Sequence, residues 1–346
     1  MTNEAHRPLA IFSRGMTAHA GGLEIFNANL VTALGNRVPV FVAPPDRSSR
    51  LRDYASRLTK TLRFLRRNKG ADVLVQYGSF LDILALPLLR LASDRVRVIA
   101  HVSDTWVHIR RPSLFALTKL ILKTCARQLF VLADQQAKVF GDLRPTKIHT
   151  IISSAFAETP SQPSRRGFAF LGRVVREKGV FDLLAAWADP RIQQRGLKLR
   201  LYGPTDPEML ARIEAEIARL KLGETVRIAG PAKGDAAVIQ TIDGAEAILY
   251  PTYADAFPLV MLESFARGTP CLVSTVGEGQ SFVDNPELVV SPGDITGIAD
   301  AVIKLAGGHI AQSYLDAMQA KARRYARGAI VSDLAAHGAL TLGAPS

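Results

Sequence analysis

The sequence predicts an α/β protein of two parallel-sheet, Rossmann-like domains in series. At 346 residues the chain is long enough for two domains of ordinary size. Strand-length apolar runs alternate with helical periodicities throughout, with no short-period repeat, and that alternation builds parallel sheets. A Ser- and Pro-rich stretch, SSAFAETPSQPSRRG at residues 153–167, separates two such sets and reads as a linker. The domains are therefore placed at residues 1–155 and 165–320. A C-terminal helical segment, 321–346, is expected to pack back toward the first domain.

Hydrophobic residues make up 48% of the chain and charged residues 21%, which excludes a disordered protein and fits a globular one. Cys125 and Cys271 sit in apolar contexts with neither metal nor disulfide spacing, and read as packed thiols in a reducing cytosol. Residues 1–8 lead into an apolar run of only four residues, so no signal peptide is expected. The longest apolar region, 83–92, contains Pro87 and Arg90 and is too short to span a bilayer. The expected location is cytoplasmic.

Charge is unevenly placed. The net charge is +12, yet residues 1–150 hold 23 Lys/Arg against 10 Asp/Glu, and the remainder is nearly neutral. One domain alone is thereby fitted to an anionic surface or substrate.

In chain order, residues 9–12 (LAIF) read as a first strand. A small-residue loop follows at 13–22, then a helix over 23–34 with Leu23, Phe26, Leu30 and Leu34 on one side. Strand, glycine loop and helix open a Rossmann unit, although the glycines lack the G-x-G-x-x-G spacing and serve a tight turn equally well. Residues 38–43 form a second strand. A helix over 51–65 then presents Leu51, Tyr54, Ala55, Leu58, Leu62 and Leu65 at helical spacing. Its other face holds Arg50, Arg52, Arg57, Lys60, Arg63, Arg66, Arg67 and Lys69. That face is a solvated surface and is also suited to anionic lipid heads.

Strands at 72–77 and 96–100 come next. The second ends at His101, beyond a strand's carboxyl end, where open α/β sheets bind ligands, though a lone histidine is more often structural. A basic helix over 114–127, a strand at 128–133, another helix and a strand at 147–152 complete the half. After the linker come a strand at 168–171, a basic loop at 172–179 and a helix at 180–187. Strands at 197–202, 226–230 and 247–251 alternate with helices. The tail, 313–339, reads as helical with Arg323, Arg324 and Arg327 exposed.

The stretch from Asp255 to Glu263 is a loop feeding a helix. Pro258 suits the first turn, and Gly268 with Pro270 ends the helix before a strand at 271–274. The helix is apolar on nearly every face and should be buried, so a carboxylate at Glu263 is costly without partners. Two acids framing a helix N-terminus suggest a polar, phosphate-bearing ligand. A purely structural account has Asp255 capping the helix and Glu263 paired with a core arginine. In the basic loop, Arg173 and Lys178 supply a bidentate donor and a point charge to a pyrophosphate, with Gly172 and Gly179 letting the backbone turn. Phosphate donors and hydroxyl acceptors in one place describe a nucleotide-sugar site.

Gly172-Arg-x-x-x-Glu-Lys-Gly179, followed by acid-x7-Glu at Asp255 and Glu263, resembles the retaining GT-B glycosyltransferases of the GT4 family. Residues 276–283 (VGEGQSFV) resemble them too. The likeness is strongest from residue 167 to about 305. It implies a GT-B fold, two Rossmann-like domains facing each other across a cleft, the first binding the acceptor and the second the donor. It implies a hexosyltransferase of glycan, glycolipid or lipopolysaccharide synthesis that uses a UDP- or GDP-sugar and needs no metal. By the same resemblance, Arg173 and Lys178 bind the donor pyrophosphate, Glu263 the ribose and Asp255 the donor sugar. Amides of Phe257 and Leu259 approach sugar and phosphate, Gly21 and Gly22 match an N-terminal glycine pair, and His101 matches a histidine at the transferred sugar. The family's first acid is usually Glu, where this chain has Asp255. Ala256 and Pro258 stand where glycines are usual, and Glu278 interrupts a usual glycine pair. The expected partners are the donor, a glycan or lipid-linked acceptor and an anionic membrane surface at the inner face of the membrane, with no nucleic acid. Competing readings are a nucleotide-sugar epimerase of the same architecture, a basic nucleic-acid-binding protein, and a non-catalytic member of the family.

Overall fold

The computed structural model describes residues 7–13, 22–44, 49–102, 112–158, 165–326 and 329–341. It divides into two compact units, Met1–Ile151 with Arg327–Ser346, and Ile152–Ala326. Each unit holds a six-stranded sheet, and every strand pairing is parallel.

The first unit runs β1 (Leu9–Phe12), α1 (Gly22–Leu34), β2 (Val40–Val42), α2 (Arg50–Arg67), β3 (Asp72–Tyr77), α3 (Phe80–Leu84), α4 (Leu86–Ala92), β4 (Val96–Ala100), α5 (Pro112–Cys125), β5 (Gln128–Val131), α6 (Asp134–Val139) and β6 (Thr146–Lys147). The strand order is β2-β1-β3-β4-β5-β6. β3 is buried along its whole length, as a central parallel strand covered on both faces must be. Its first residue, Asp72, holds Arg97 of β4 at 2.8 Å, so the two buried charges are paired. Leu58 and Leu65 of α2, Leu86 and Leu89 of α4, and Phe115 and Leu122 of α5 pack on this sheet in one apolar cluster.

Three features of this unit differ from the sequence expectation. Arg57 is buried and is not part of the basic face: it pairs with Asp53 one turn earlier at 2.8 Å and donates to the Ser13 carbonyl. Leu51 points outward at 68% exposure, and the inward stripe of α2 starts only at Tyr54 and Leu58. Of the expected strand at 147–152 only Lys147, with Thr146 before it, is strand; Ile148, Ile151 and Ile152 fill the interior from irregular chain.

The second unit runs β7 (Phe168–Leu171), α7 (Val180–Trp187), α8 (Pro190–Gln194), β8 (Leu199–Tyr202), α9 (Pro207–Arg219), β9 (Val226–Gly230), α10 (Gly234–Asp243), β10 (Ala247–Tyr250), α11 (Leu259–Ala266), β11 (Cys271–Ser274), α12 (Gly279–Val283), β12 (Val289–Val290), α13 (Ile295–Ala306) and α14 (Gln312–Arg323). The strand order is β12-β11-β10-β7-β8-β9. The linker is partly structured: Ser154–Ala157 form a 3-10 turn with Phe156 buried.

The tail is two helices, not one. α14 ends at Arg323, and α15 (Ala329–Ala336) belongs to the first unit. The break has a cause in packing. The Tyr325 ring sits against Phe257 and Phe282, each at 5.7 Å, and its carbonyl accepts from Ile152 N, which draws the chain out of the helix. Arg323 is half-buried through bonds to the Ala266 and Glu158 carbonyls, Arg324 is exposed, and Arg327 lies outside the described residues. Among the described residues no helix is long and apolar enough to cross a membrane.

Candidate active site

In the second sheet β7 and β10 are neighbours, and the chain leaves them toward opposite edges, to β8 and to β11. This is the topological switch point at which doubly wound sheets bind ligands, beyond the carboxyl ends of the strands. The two loops that diverge there are the basic loop after β7 and the loop 251–258 after β10. They touch through backbone: Gly179 (φ +76°) lies so close that a Cβ would sit 2.1 Å from the Pro251 carbonyl oxygen. Only glycine fits there.

Lys178 and Asp255, 77 positions apart in the chain, meet at this point. Lys178 Nζ donates to Asp255 Oδ2 at 2.8 Å and to the Ala254 carbonyl at 2.9 Å. Tyr250 Oη donates to the same carboxylate oxygen at 2.9 Å, and Lys178 Nζ stands 5.2 Å over the Tyr250 ring. Burial, followed by the Asp255 carboxylate, holds the Tyr250 phenol well above its ordinary value of 10, so it stays a donor. Asp255 is therefore no helix cap; Pro258 occupies the cap position of α11 without a side-chain bond. Its Oδ1 receives no hydrogen bond from the described residues.

Arg173 is exposed, and its side chain forms no ion pair or hydrogen bond with the described residues. Its backbone is fixed all the same, since the neighbouring Val174 is buried and bonds to Pro204 and Thr205 on both its amide and its carbonyl. Its charge reaches Tyr250, where it opposes the rise of the phenol. The Phe257 ring is buried between Phe282 and Tyr325, so Phe257 presents only its backbone. No described residue accepts from the amides of Phe257 and Leu259, which leaves two donors at the N-terminus of α11. The loop 276–283 supports this edge. Glu278 N donates to the Ala256 carbonyl at 3.0 Å, and a Cβ on Gly277 would lie 2.3 Å from the Asp255 carbonyl oxygen.

Glu263 lies in the second turn of α11, and its carboxylate has no hydrogen-bond partner among the described residues. It keeps some solvent contact, yet burial, with Asp235 adding to it, pushes its carboxyl up to about 8. The core-arginine account of this acid is overturned. The arginine of the helix end, Arg267, bonds Asp243 at 2.5 and 2.8 Å and donates to the Glu158 carbonyl.

The remaining predicted positions belong to the first unit. His101 follows β4; its amide donates to the Tyr77 carbonyl at 2.8 Å, and Phe26 meets its ring edge-on at 4.6 Å. Nε2 is 2.6 Å from Gln76 Oε1, and burial lowers the imidazole to about 3, so it is neutral. Gly22 opens α1, whereas Gly21 lies outside the described residues. Tyr250, which holds Asp255, was missed by the sequence reading. A phenol at the carboxyl end of a central strand, five residues before an acid, is the signal that points to it.

Residues 152–326 match the model of the family described as glycosyl transferases group 1. An exopolysaccharide phosphotransferase of Streptomyces coelicolor is 30% identical over 166 residues, which cover 46% of this chain and 17% of that protein. The chain spans between 17% and 47% of the length of the curated relatives it matches. Among solved structures, the sucrose-phosphate synthase of Thermosynechococcus elongatus superposes with a TM-score of 0.76 at 20% identity, covering 96% of this chain and 98% of that one. HepE of Anabaena, in complex with UDP and glucose, does so with a TM-score of 0.74 at 15% identity, covering 96% and 99%. These likenesses show the GT-B fold, two Rossmann-like units in one chain. The family match takes in half of the sequence: the chain belongs to the glycosyl transferases group 1.

Proposed function

We propose that the chain is a retaining, metal-independent hexosyltransferase of the GT4 type. It moves a sugar from a UDP- or GDP-sugar to a glycan or glycolipid acceptor in cell-surface polysaccharide or lipopolysaccharide synthesis. One observation carries the reading: at the β7–β10 switch point Lys178 and Asp255 meet, in the loops that also carry Arg173 and the unclaimed amides of Phe257 and Leu259, and the unpartnered Glu263 carboxylate lies in the helix that follows.

Arg173 grips the donor pyrophosphate through its planar fork, and Lys178 adds a point charge. As the sugar–phosphate bond lengthens, negative charge grows on the departing diphosphate. Arg173, Lys178 and the α11 N-terminus stabilise it there without reorganising. Glu263, ionised on binding, accepts both ribose hydroxyls. The Asp255 oxygen not engaged by Lys178 and Tyr250 accepts a hydroxyl of the donor sugar. The acceptor oxygen attacks the anomeric carbon from the face that the phosphate leaves, and the phosphate oxygen takes its proton, so configuration is retained. The resemblance assigns His101, neutral and held by Gln76, to the transferred sugar, and the glycine pair Gly21 and Gly22 to phosphate and acceptor. The basic first unit holds an anionic acceptor or the membrane that carries it, placing the protein in the cytoplasm at the inner membrane face.

A screen of UDP- and GDP-sugars for nucleoside diphosphate release, with and without lipid-linked acceptors, tests this. The reading expects acceptor-stimulated release from one donor and an axial-to-axial or equatorial-to-equatorial product. Release of an epimerised free sugar with no transfer would sink it.

A further inference from the structure

Among the described residues, six of the nine exposed large apolar side chains lie on helices of the first unit that pack side by side. α2 packs against α4, and both α3 and α4 pack against α5. Ala85, between α3 and α4, keeps right-handed helical dihedrals (φ −73°, ψ −25°), so Leu84, Leu88 and Leu91 fall on one line at spacings of four and three. They are 44%, 46% and 85% exposed. On the neighbouring α5, Leu117 and Leu120 repeat the pattern at 44% and 58%. Leu86, Leu89, Phe115 and Leu122 already fill the inward faces of the same helices, so the outward leucines are surplus to the core.

The flanks of this ridge are basic. Arg63, Arg66 and Arg67 on α2, Arg90 on α4 and Lys123 on α5 are all exposed. α2, α4 and α5 carry a single acid among them, Asp53, and it is tied to Arg57. An apolar ridge between basic flanks is the composition of a surface that lies in a bilayer interface. A second copy of the chain fits poorly, since self-contact would oppose two basic faces.

We propose that the face formed by α2, α3, α4 and α5 docks on an anionic lipid bilayer, its five leucines entering the boundary between headgroups and acyl chains. This deepens the membrane side of the function proposed above. Its test uses no donor or acceptor, so failure of either is distinguishable from failure of the other.

The full chain is floated with neutral phosphatidylcholine vesicles and with vesicles containing about 30% phosphatidylglycerol, at low and high salt. The wild type binds the anionic vesicles and loses most binding at high salt. Leu91→Ser/Leu120→Ser, at exposed positions that leave the fold intact, weakens binding at least about tenfold. Arg63→Gln/Arg66→Gln/Arg67→Gln weakens it on anionic vesicles by about a hundredfold. In Leu91→Trp, the indole emission shifts to the blue on binding and is quenched by brominated acyl chains. Binding of the leucine double variant at wild-type strength, or an indole that neither shifts nor is quenched, overturns the proposal. So does a wild-type dimer in sedimentation that the leucine variant splits, without vesicle binding by either.

Discussion

Removing the Glu263 charge should stabilise the free protein and abolish a pH dependence of donor binding. The perturbation is Glu263→Gln. Raising this carboxyl from 4.5 to about 8 places at most ~5 kcal/mol on the ionised form. The sign follows from the direction of the shift. An acid whose folded value lies above its unfolded one costs nothing below 4.5, and stability is lost as pH rises through 8. The glutamine variant escapes that loss, so its advantage in urea denaturation grows between those limits and is flat outside them. Donor binding has the opposite dependence, because the ribose hydroxyls need a carboxylate. At neutral pH only about one Glu263 in ten is ionised, which weakens donor affinity about tenfold, and the penalty vanishes by about pH 9. Calorimetry in buffers of different ionisation enthalpy should show nearly one proton released on binding at pH 7. Glu263→Gln should bind weakly, with no proton release. Wild-type affinity that is flat across this range, or a variant that keeps the slope, refutes the reasoning.

Lys178→Met should lower kcat/KM by about a hundredfold or more, measured as nucleoside diphosphate release, since it removes a cation from the leaving group and an anchor of Asp255. Gly277→Ala should cost about 3 kcal/mol in thermal unfolding and weaken donor binding, because a Cβ at φ +64° meets the Asp255 and Ala256 carbonyl oxygens. Arg267→Ala should destabilise the second unit by about 4 kcal/mol in denaturant unfolding, leaving Asp243 buried and unpaired, and Arg267→Met/Asp243→Leu should recover most of that.

The two loops of the candidate site were legible in the sequence because their chemistry is local. A glycine-bounded basic loop follows one apolar strand, an acid-x7-acid pair follows another, and the sheet order makes those strands neighbours. The same residues give no sign that Lys178 and Asp255 bond each other, since that contact depends on how two loops cross at Gly179 and Pro251. Helical spacing also fails where a helix is apolar or basic all round. It put Arg57 on the solvated face and Leu51 on the buried one, because periodicity fixes relative angles and not which face meets the sheet. The leucines of α3 and α4 were hidden for that reason, read only as an apolar run. Tail helicity was predicted as continuous because local propensity favours it, and one aromatic cluster around Tyr325 overrode it.

The central claim is that the second unit binds a nucleotide-sugar through Arg173, Lys178 and Glu263. Its most direct test is equilibrium binding of UDP- and GDP-sugars to the wild type, Arg173→Ala and Glu263→Ala, with folding checked by circular dichroism. The account predicts that one donor binds the wild type and that each variant weakens it by at least about tenfold. Folded variants that bind that donor as tightly as the wild type would contradict it.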